Sequence, residues 1–346
     1  MAKKVYVGMS GGVDSSVAAA LLKEQGHDVT GIYMKNWSQD VGGLVCSWQE
    51  DYQDAKRVAV HLGIDFQLYD FETQYRQTVV DYMLREYQAG LTPNPDIMCN
   101  QAIKFKLFLE TALGNGADFI ATGHYARSRG GQLLTGLDAS KDQAYFLYRV
   151  TKEALSRSLF PVGELSKPAV RSLAKKLGLA TADKPDSQGI CFVGKVGIKE
   201  FLLSQLGPQP SGPILNQKGQ EIGQHDGVIF YTIGQRHGLD IGGGLPYYVT
   251  RKDVPSNTIY VTTDLNDKSL WSSTLTLQDL HWIDDEPKKH QTYQARLRYQ
   301  GPLVACTLAG NSLRLQEPQR GLAAGQSAVV YQDDRILGGG IIAQKP

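Results

Sequence analysis

The chain has 346 residues, 42% of them hydrophobic, and a formal net charge of +1, a length that calls for two or three domains rather than one core. Near-neutral charge means that any nucleic-acid partner must be met by local basic patches, and no apolar stretch approaches a membrane span. Four cysteines, Cys46, Cys99, Cys191 and Cys306, lie far apart with no CxxC pair, which argues against a disulfide scaffold and a structural metal and fits a reducing cytoplasm.

The chain opens with VYVGMSGGVDSSVAAALL over residues 5–22. This reads as an apolar strand, a glycine–serine turn and an alanine-rich helix. The strand follows Lys3 and Lys4 directly, with no long hydrophobic region or cleavage site, so no signal peptide is expected. Ser10, Gly11 and Gly12 supply a tight turn, and Asp14, Ser15 or Ser16 can cap the helix, which Gly26 stops. Such turns gather backbone N–H groups around phosphate. The GxxxxGK[ST] lysine is absent, however, and taken bare such a turn is more often an ordinary strand–helix connection.

KVYVGM, HDVTGIYM, DFQLYDF and ADFIATGHYA are short β-type runs. Amphipathic stretches at 50–62, 73–88 and 102–113 separate them, an alternation that predicts a doubly wound parallel sheet. Ligands bind such sheets beyond the carboxyl ends of the strands, so the turn after VYVGM and the tail of ADFIATGHY are candidate walls of one pocket. TPNPDIMCNQAIKFKLFLE places Cys99 just before, or in, the first turn of a helix, after Pro93 and Pro95 and close to Lys104 and Lys106. That setting lowers a thiol pKa, although a lone cysteine is also at home as a small buried hydrophobe. Local sequence leaves both readings of Cys99 open. Cys191 sits at the edge of an apolar triplet in KPDSQGICFVG, after Pro185 and Gly189, where a core-strand reading is natural. Cys46 and Cys306 read as structural.

After GIKEFLLSQL the character changes at GPQPSGPI to a glycine-rich, short-stranded region. From about Ser272, QARLRYQG, LVACTLAG, NSLRLQ, QSAVVYQDD and RILGGGIIA recur with turn signals between them, predicting a small antiparallel barrel. The expected units are a catalytic α/β domain over 1–205, a small β-rich central domain over 206–271 and a β-barrel over 272–346.

The full pattern of strand, SGGVDSS and helix resembles the loop of the PP-loop ATP pyrophosphatases, whose fold is adenine nucleotide α-hydrolase-like. The resemblance implies cleavage of ATP between the α and β phosphates, with pyrophosphate held in the cradle and AMP left on the substrate. Beyond the loop, YMKNW, TPNPDIMCNQAIKFK, ATGHYAR, LDASKDQAYFLY, LFPVGEL, DSQGICF, YTIGQRHGL and GQSAVVY…LGGGII closely resemble the tRNA-specific 2-thiouridylase family, in order, along nearly the whole chain. Gln188 in DSQGICF departs from the threonine more often expected there, beside the cysteine and not in its place.

This resemblance implies an ATP site at Gly8, Met9, Ser10, Gly11, Gly12, Val13, Asp14 and Ser15, with Met34 and Gly123 lining the adenosine pocket. It implies contact with the target base by Asn94, Pro95 and Asp96. It makes Cys99 the catalytic cysteine and Cys191 the persulfide carrier, while Asp96 either holds the base or shuttles a proton. His124, Lys141, Asp142, Gln143, Arg298, Tyr299 and Gln326 fall on tRNA-contacting positions. The implied reaction adenylates O2 of the wobble uridine of the tRNAs for Lys, Glu and Gln. It uses ATP and Mg²⁺, with sulfur from a cysteine desulfurase or a sulfur relay protein, and no metal is expected on the protein itself. A persulfide carries sulfane sulfur, whereas a thiocarbonyl needs sulfur two electrons more reduced. A second thiolate can supply that pair by disulfide formation, or Cys99 can act as a base. The run KKHQTYQARLRY would then grip RNA through Lys288, Lys289, Arg296 and Arg298. Two alternatives remain: a PP-loop synthetase or amidotransferase acting on a small metabolite, and a non-enzymatic RNA-binding protein.

Overall fold

A computed structural model describes residues 2–43, 45–186, 197–242 and 244–344; Cys191 and Gln188 fall in 187–196, outside the described residues. Four strands, β1 (Lys4–Gly8), β2 (Asp28–Lys35), β3 (Asp65–Asp70) and β4 (Phe119–Ala121), form the predicted parallel sheet. The short β7 (Ser158–Leu159) completes the order β3-β2-β1-β4-β7. Central β1 alternates between two cores. Val5 and Val7 face one with Val29 and Ala121, and Tyr6 faces the other with Ile32 and Ile120. Both faces are therefore covered, as a parallel sheet requires.

The helices lie between these strands. α1 (Val13–Glu24) follows β1, and α2 (Trp48–Leu62) follows β2. Next come α3 (Glu72–Tyr75) and α4 (Asp81–Gln88), joined by a π-helical stretch at Arg76–Val80. A second pair, α5 (Pro95–Met98) and α6 (Phe108–Gly114), is joined by a longer π stretch at Cys99–Leu107. The domain ends with α7 (Lys152–Ser156), α8 (Lys167–Lys176) and α9 (Ile198–Leu206).

One hairpin differs from the sequence reading. ADFIATGHYA is not a single strand: β4 stops at Ala121, and β5 (Ala126–Arg129) and β6 (Gln132–Thr135) leave the parallel sheet. β6 pairs with the last strand of the barrel, Leu134 opposite Arg335. A partner so far along the chain leaves no local trace in sequence.

The central unit holds β8 (Gly212–Leu215), β9 (Glu221–His225), β10 (Tyr248–Asp253) and β11 (Thr258–Thr262), in the order β10-β11-β8-β9. The third unit holds β12 (Trp271–Trp282), β13 (Thr292–Arg296), β14 (Leu303–Ala309), β15 (Ser312–Arg320), β16 (Ser327–Gln332) and β17 (Arg335–Ile342). Pairing of β12 with both β15 and β17 closes these six strands into an antiparallel barrel. Val304, Cys306 and Leu308 alternate into its core, where a structural cysteine was expected. The sequence reading did not anticipate β12. Among the described residues, no helix is long and apolar enough to cross a membrane.

Candidate active site

β1 delivers the chain into the glycine–serine turn, where the Met9 N–H donates to the Ile32 carbonyl at 2.8 Å. Gly11 has φ +73°, and a Cβ there would sit 2.3 Å from the Asp51 carbonyl oxygen, so the turn passes against α2 only as glycine. Gly12 begins α1 without a side-chain cap. The N–H groups of Val13, Asp14 and Ser15 consequently have no helical carbonyl one turn back and are available to phosphate. The serines fold onto the loop itself, with Ser10 N–H donating to Ser15 Oγ at 3.2 Å and Ser16 Oγ to the Gly12 carbonyl at 2.8 Å. A Cβ on Gly123 would lie 2.6 Å from Ser15 N, and one on Gly8 would lie 2.9 Å from Met34 Cε. The structure therefore brings Gly8, Met34, Gly123 and the turn together at the carboxyl ends of β1, β2 and β4.

Asp14 puts a carboxylate at this anion-binding turn, and its charge is answered from far along the chain. Lys167, 8% exposed at the start of α8, stands 2.8 Å from both Asp14 oxygens, and Tyr125 donates its hydroxyl to Oδ1 at 2.8 Å. Burial, with Asp14 beside it, pushes the Tyr125 phenol up, so it stays a donor. Lys167 also lies 2.8 Å from Asp186, which receives Lys141 at 2.9 Å and Arg171 at 2.6 Å. Burial alone would lift the Asp186 carboxyl, but hydrogen bonds and charge from Lys167 and Lys141 outweigh it and hold it at about 2. Asp138 borders the cluster too, accepting the Lys167 backbone N–H at 2.9 Å, so the three cations are matched by three carboxylates and serve to fix Asp14 at the cradle. Sequence reasoning missed Lys167, Tyr125 and Asp186. The only trace of Lys167 was an unremarkable lysine in SKPAV, after a serine that caps α8 by accepting the Ala169 N–H at 3.4 Å.

Cys99 lies elsewhere on the same domain. Asn94 is the extended N-cap and Pro95 the first residue of a helix that continues through the π stretch. Cys99 is thus one turn inside the helix, not before or in its first turn as the sequence suggested. Pro95, pre-set for N1, starts the helix four residues early, and the end-charge effect fades within that turn. Cys99 is 3% exposed, so burial combines with a chemical setting. Burial raises the Asp96 carboxyl pKa against the pull of Lys104. Burial, aided by Lys104, holds His124 well below the usual imidazole value. His124 Nδ1 is 2.7 Å from Thr122 Oγ1, and its ring centroid lies 5.7 Å from that of Phe105. A neutral imidazole and a carboxyl inclined to keep its proton, both influenced by one ammonium, form a set able to move protons.

The barrel braces this helix. Gln326 donates from Nε2 to the Thr92 carbonyl at 2.7 Å, and the Thr92 N–H donates to the Ala324 carbonyl at 2.9 Å. Tyr299 rests on Phe146 with centroids 4.3 Å apart, and the Phe146 carbonyl accepts from Asn100 at 3.2 Å. Arg298 is exposed. Asp142 is 4% exposed and accepts N–H bonds from Gly136 at 3.0 Å and Ala144 at 3.1 Å. The Gln143 side chain accepts the Tyr125 N–H at 3.0 Å. Arg296 is not on an RNA-facing surface with Lys288 and Lys289, as the basic run suggested. It turns inward to Asp142 at 3.3 Å, with its guanidinium 5.4 Å from the Tyr331 ring centroid.

Three family models match in succession: a tRNA methyl transferase HUP domain over residues 3–195, a tRNA methyl transferase PRC-barrel domain over 199–263 and an aminomethyltransferase β-barrel domain over 272–342. The chain is 49% identical to tRNA-specific 2-thiouridylase MnmA 2 of Geobacillus kaustophilus (strain HTA426), over 98% of this chain and 94% of that protein. It is 49% identical to the MnmA protein of Geobacillus thermodenitrificans (strain NG80-2) over the same shares, and 47% identical to that of Bordetella avium (strain 197N) over 98% and 97%. The chain belongs to the tRNA-specific 2-thiouridylase family. Within this family architecture, the glycine cradle and Cys99 are carried by one α/β domain, and the barrel packs directly behind the Cys99 helix through Tyr299 and Gln326.

Proposed function

We propose that the protein is an ATP-dependent tRNA 2-thiouridylase that adenylates O2 of the wobble uridine and replaces that oxygen with sulfur. Membership of the family along the whole chain, with an intact SGGVDSS cradle, carries this reading. In it, Gly8 to Ser15 hold ATP phosphates, and Met34 and Gly123 flank the adenosine. Mg²⁺ would travel with the phosphates beside Asp14 and neutralise charge on the leaving pyrophosphate. The cradle fits a polyphosphate because Gly8, Gly11 and Gly123 leave no room for a Cβ where the loop closes.

The wobble uridine, splayed from its loop as base-modifying enzymes require, enters beside Asn94, Pro95 and Asp96. Adenylation converts a poor leaving oxygen into AMP. Cys191 delivers sulfane sulfur, received from a cysteine desulfurase or a relay protein. Cys99 supplies the missing electron pair by forming a Cys99–Cys191 disulfide; if it acts instead as a base on the persulfide, an external thiol must supply that pair by forming the disulfide with Cys191. Asp96 and His124 manage protons near Cys99. Lys141, Arg298 and Tyr299 contact tRNA, whereas Asp142, Gln143 and Gln326 act by holding the contact loops in place. The substrates are the tRNAs for Lys, Glu and Gln, and the setting is the cytoplasm. The three units divide near residues 205 and 271.

The test is mass spectrometry of nucleosides from tRNA incubated with protein, ATP, Mg²⁺ and a persulfide donor, a cysteine desulfurase supplied with cysteine. 2-Thiouridine should form with AMP and pyrophosphate. Cys99→Ser should abolish it, while Cys306→Ser should not, because burial pushes the Cys306 thiol up to about 11 and keeps it inert. ADP as the tRNA-dependent product would reject the mechanism. Pyrophosphate release without tRNA, coupled to amination of a metabolite, would favour the synthetase alternative.

A further inference from the structure

The outer face of the central sheet carries two arginines laid on tyrosine rings. Val249, Ile259 and Val261 fill the core of that domain, so their strand neighbours Tyr248 and Tyr260 point outward. A register shift between Val249 and Arg251 brings Arg251 opposite Tyr260. The Arg251 guanidinium stands 3.8 Å from the Tyr260 ring centroid. Arg320, at the end of β15, reaches across from the barrel to 5.4 Å from the Tyr248 centroid. Both arginines are exposed, and among the described residues their recorded contacts are with the tyrosine rings and not with a carboxylate. Two carboxylates of the same domain are held by local backbone N–H groups and not by these arginines: Asp253 accepts the Ser256 N–H at 3.2 Å and Asp264 accepts that of Asn266 at 2.9 Å.

Packed contacts tie this domain to the segment that leads into the Cys99 helix. Gly321, beside Arg320, meets Gly234 so closely that a Cβ on Gly234 would lie 2.8 Å from Gly321 Cα. The Gly234 N–H donates to the Val249 carbonyl at 2.8 Å, and Thr232 Oγ1 lies 3.2 Å from Thr92 Oγ1. Thr92 leads into the Asn94 cap. A guanidinium stacked on a ring keeps its N–H edge open and loses little freedom on meeting an anion. The whole chain carries only +1, so unpaired arginines sharing one sheet face are a local positive excess. Alternating arginine and aromatic groups suit a nucleic-acid backbone, where the cation meets phosphate and the ring meets sugar or base.

We infer that the face formed by Arg251 on Tyr260 and Arg320 on Tyr248 binds phosphates of the substrate tRNA outside the loop that carries the target uridine. This rests on the tRNA reading above.

The experiment measures binding of unmodified tRNA across salt concentrations for wild type and for an Arg251→Ala/Arg320→Ala variant. The variant should bind about tenfold more weakly near 0.1 M salt, and its salt slope should be shallower by about 1.8, because each lost duplex phosphate contact removes about 0.9. The kcat at saturating tRNA and the KM for ATP should not move. Arg251→Lys/Arg320→Lys should keep the slope while losing less affinity. Arg57→Ala, which removes an exposed arginine paired with Asp54 at 2.9 Å, controls for the loss of a single charge, as in Arg251→Gln, and should bind as wild type. If the double alanine variant fails to fold, Arg251→Gln alone is read, with a slope shallower by about 0.9 expected. Unchanged affinity and slope in a variant that still thiolates tRNA would overturn the inference. So would intact tRNA binding with impaired sulfur loading from the donor, which would make this a protein-docking face. A wild-type protein that binds no tRNA would instead sink the functional reading itself.

Discussion

At the scale of single residues, the decisive side chain is Lys167. The cradle lacks the lysine of the Walker loop, and α8 supplies one 153 positions from Asp14. Side-chain exposure is 10% for Lys167 and 30% and 31% for its partners Asp14 and Asp186. The interaction therefore falls between a surface pair and a buried one, and Lys167→Met should lower the unfolding free energy at neutral pH by about 2 kcal/mol. The sign with pH follows from Asp186. Its folded pKa, about 2, lies below the ordinary 3.8, so its stabilisation is complete above about pH 4 and is lost as pH falls toward 2. Without Lys167 that acid limb should flatten. Urea midpoints measured from pH 7 down to pH 2 check both parts, and parallel curves for the two proteins would count against the pairing. The turn itself was legible in sequence because its chemistry is local: glycines, serines and an aspartate in one run. Lys167, Tyr125 and Asp186 were not, because only the folded chain places them around Asp14. For Cys99 the local sequence marks the correct helix but a start four residues late, since nothing local tells a proline at N1 from one in the approach.

At the scale of elements, local periodicity accounts for what could be read. β1 to β4 show as short apolar runs, and β13 to β17 show as alternation between turns. β12 was missed, and the β5–β6 hairpin was missed because its pairing with β17 is remote. The π stretch at Cys99–Leu107 has no distinct sequence period, so it reads as ordinary helix. Another close meeting in the cradle sets the segment just after β4 against the start of α1. A Cβ on Gly123 would lie 2.6 Å from Ser15 N and 2.8 Å from Asp14 C, and backbone atoms cannot rotate away as a side chain can. Gly123→Ala should therefore push the cradle open. The expected result is an ATP dissociation constant raised at least about tenfold, with a stability loss of about 1–3 kcal/mol, and tRNA affinity unchanged. Calorimetry with ATP and filter binding with tRNA separate the two ligands. Wild-type ATP affinity would show that the loop yields without cost and that Gly123 does not set its shape.

At the scale of the molecule, one side of the barrel joins the catalytic domain's core, while its interior holds a core of its own. Val329, Tyr331 and Ile336 from the barrel share one buried cluster with Phe105, Leu133, Tyr145 and Tyr148, whereas the central domain has its own. The Tyr145 hydroxyl donates to the Ser327 carbonyl at 2.9 Å, and β6 extends the barrel sheet. At this seam Asp142 meets Arg296, with side-chain exposures of 4% and 17%. Burial already raises the Asp142 carboxyl pKa, opposed by the Gly136 and Ala144 N–H groups and by Arg296. Arg296→Ala would leave that carboxylate buried without its cation, a loss of about 3 kcal/mol at neutral pH. The deficit should grow as pH rises above the ordinary carboxyl value, because ionised Asp142 then has to remain inside, and shrink toward pH 4. If catalytic domain and barrel unfold together, the lesion will not stay local. Hydrogen exchange should accelerate by a similar factor for the β1 amides of Val5 to Val7 and for the β14 amides of Val304 to Leu308. Faster exchange in β14 with β1 unaffected would mean that the barrel melts alone, and that the shared cluster does not bind the two into one cooperative unit.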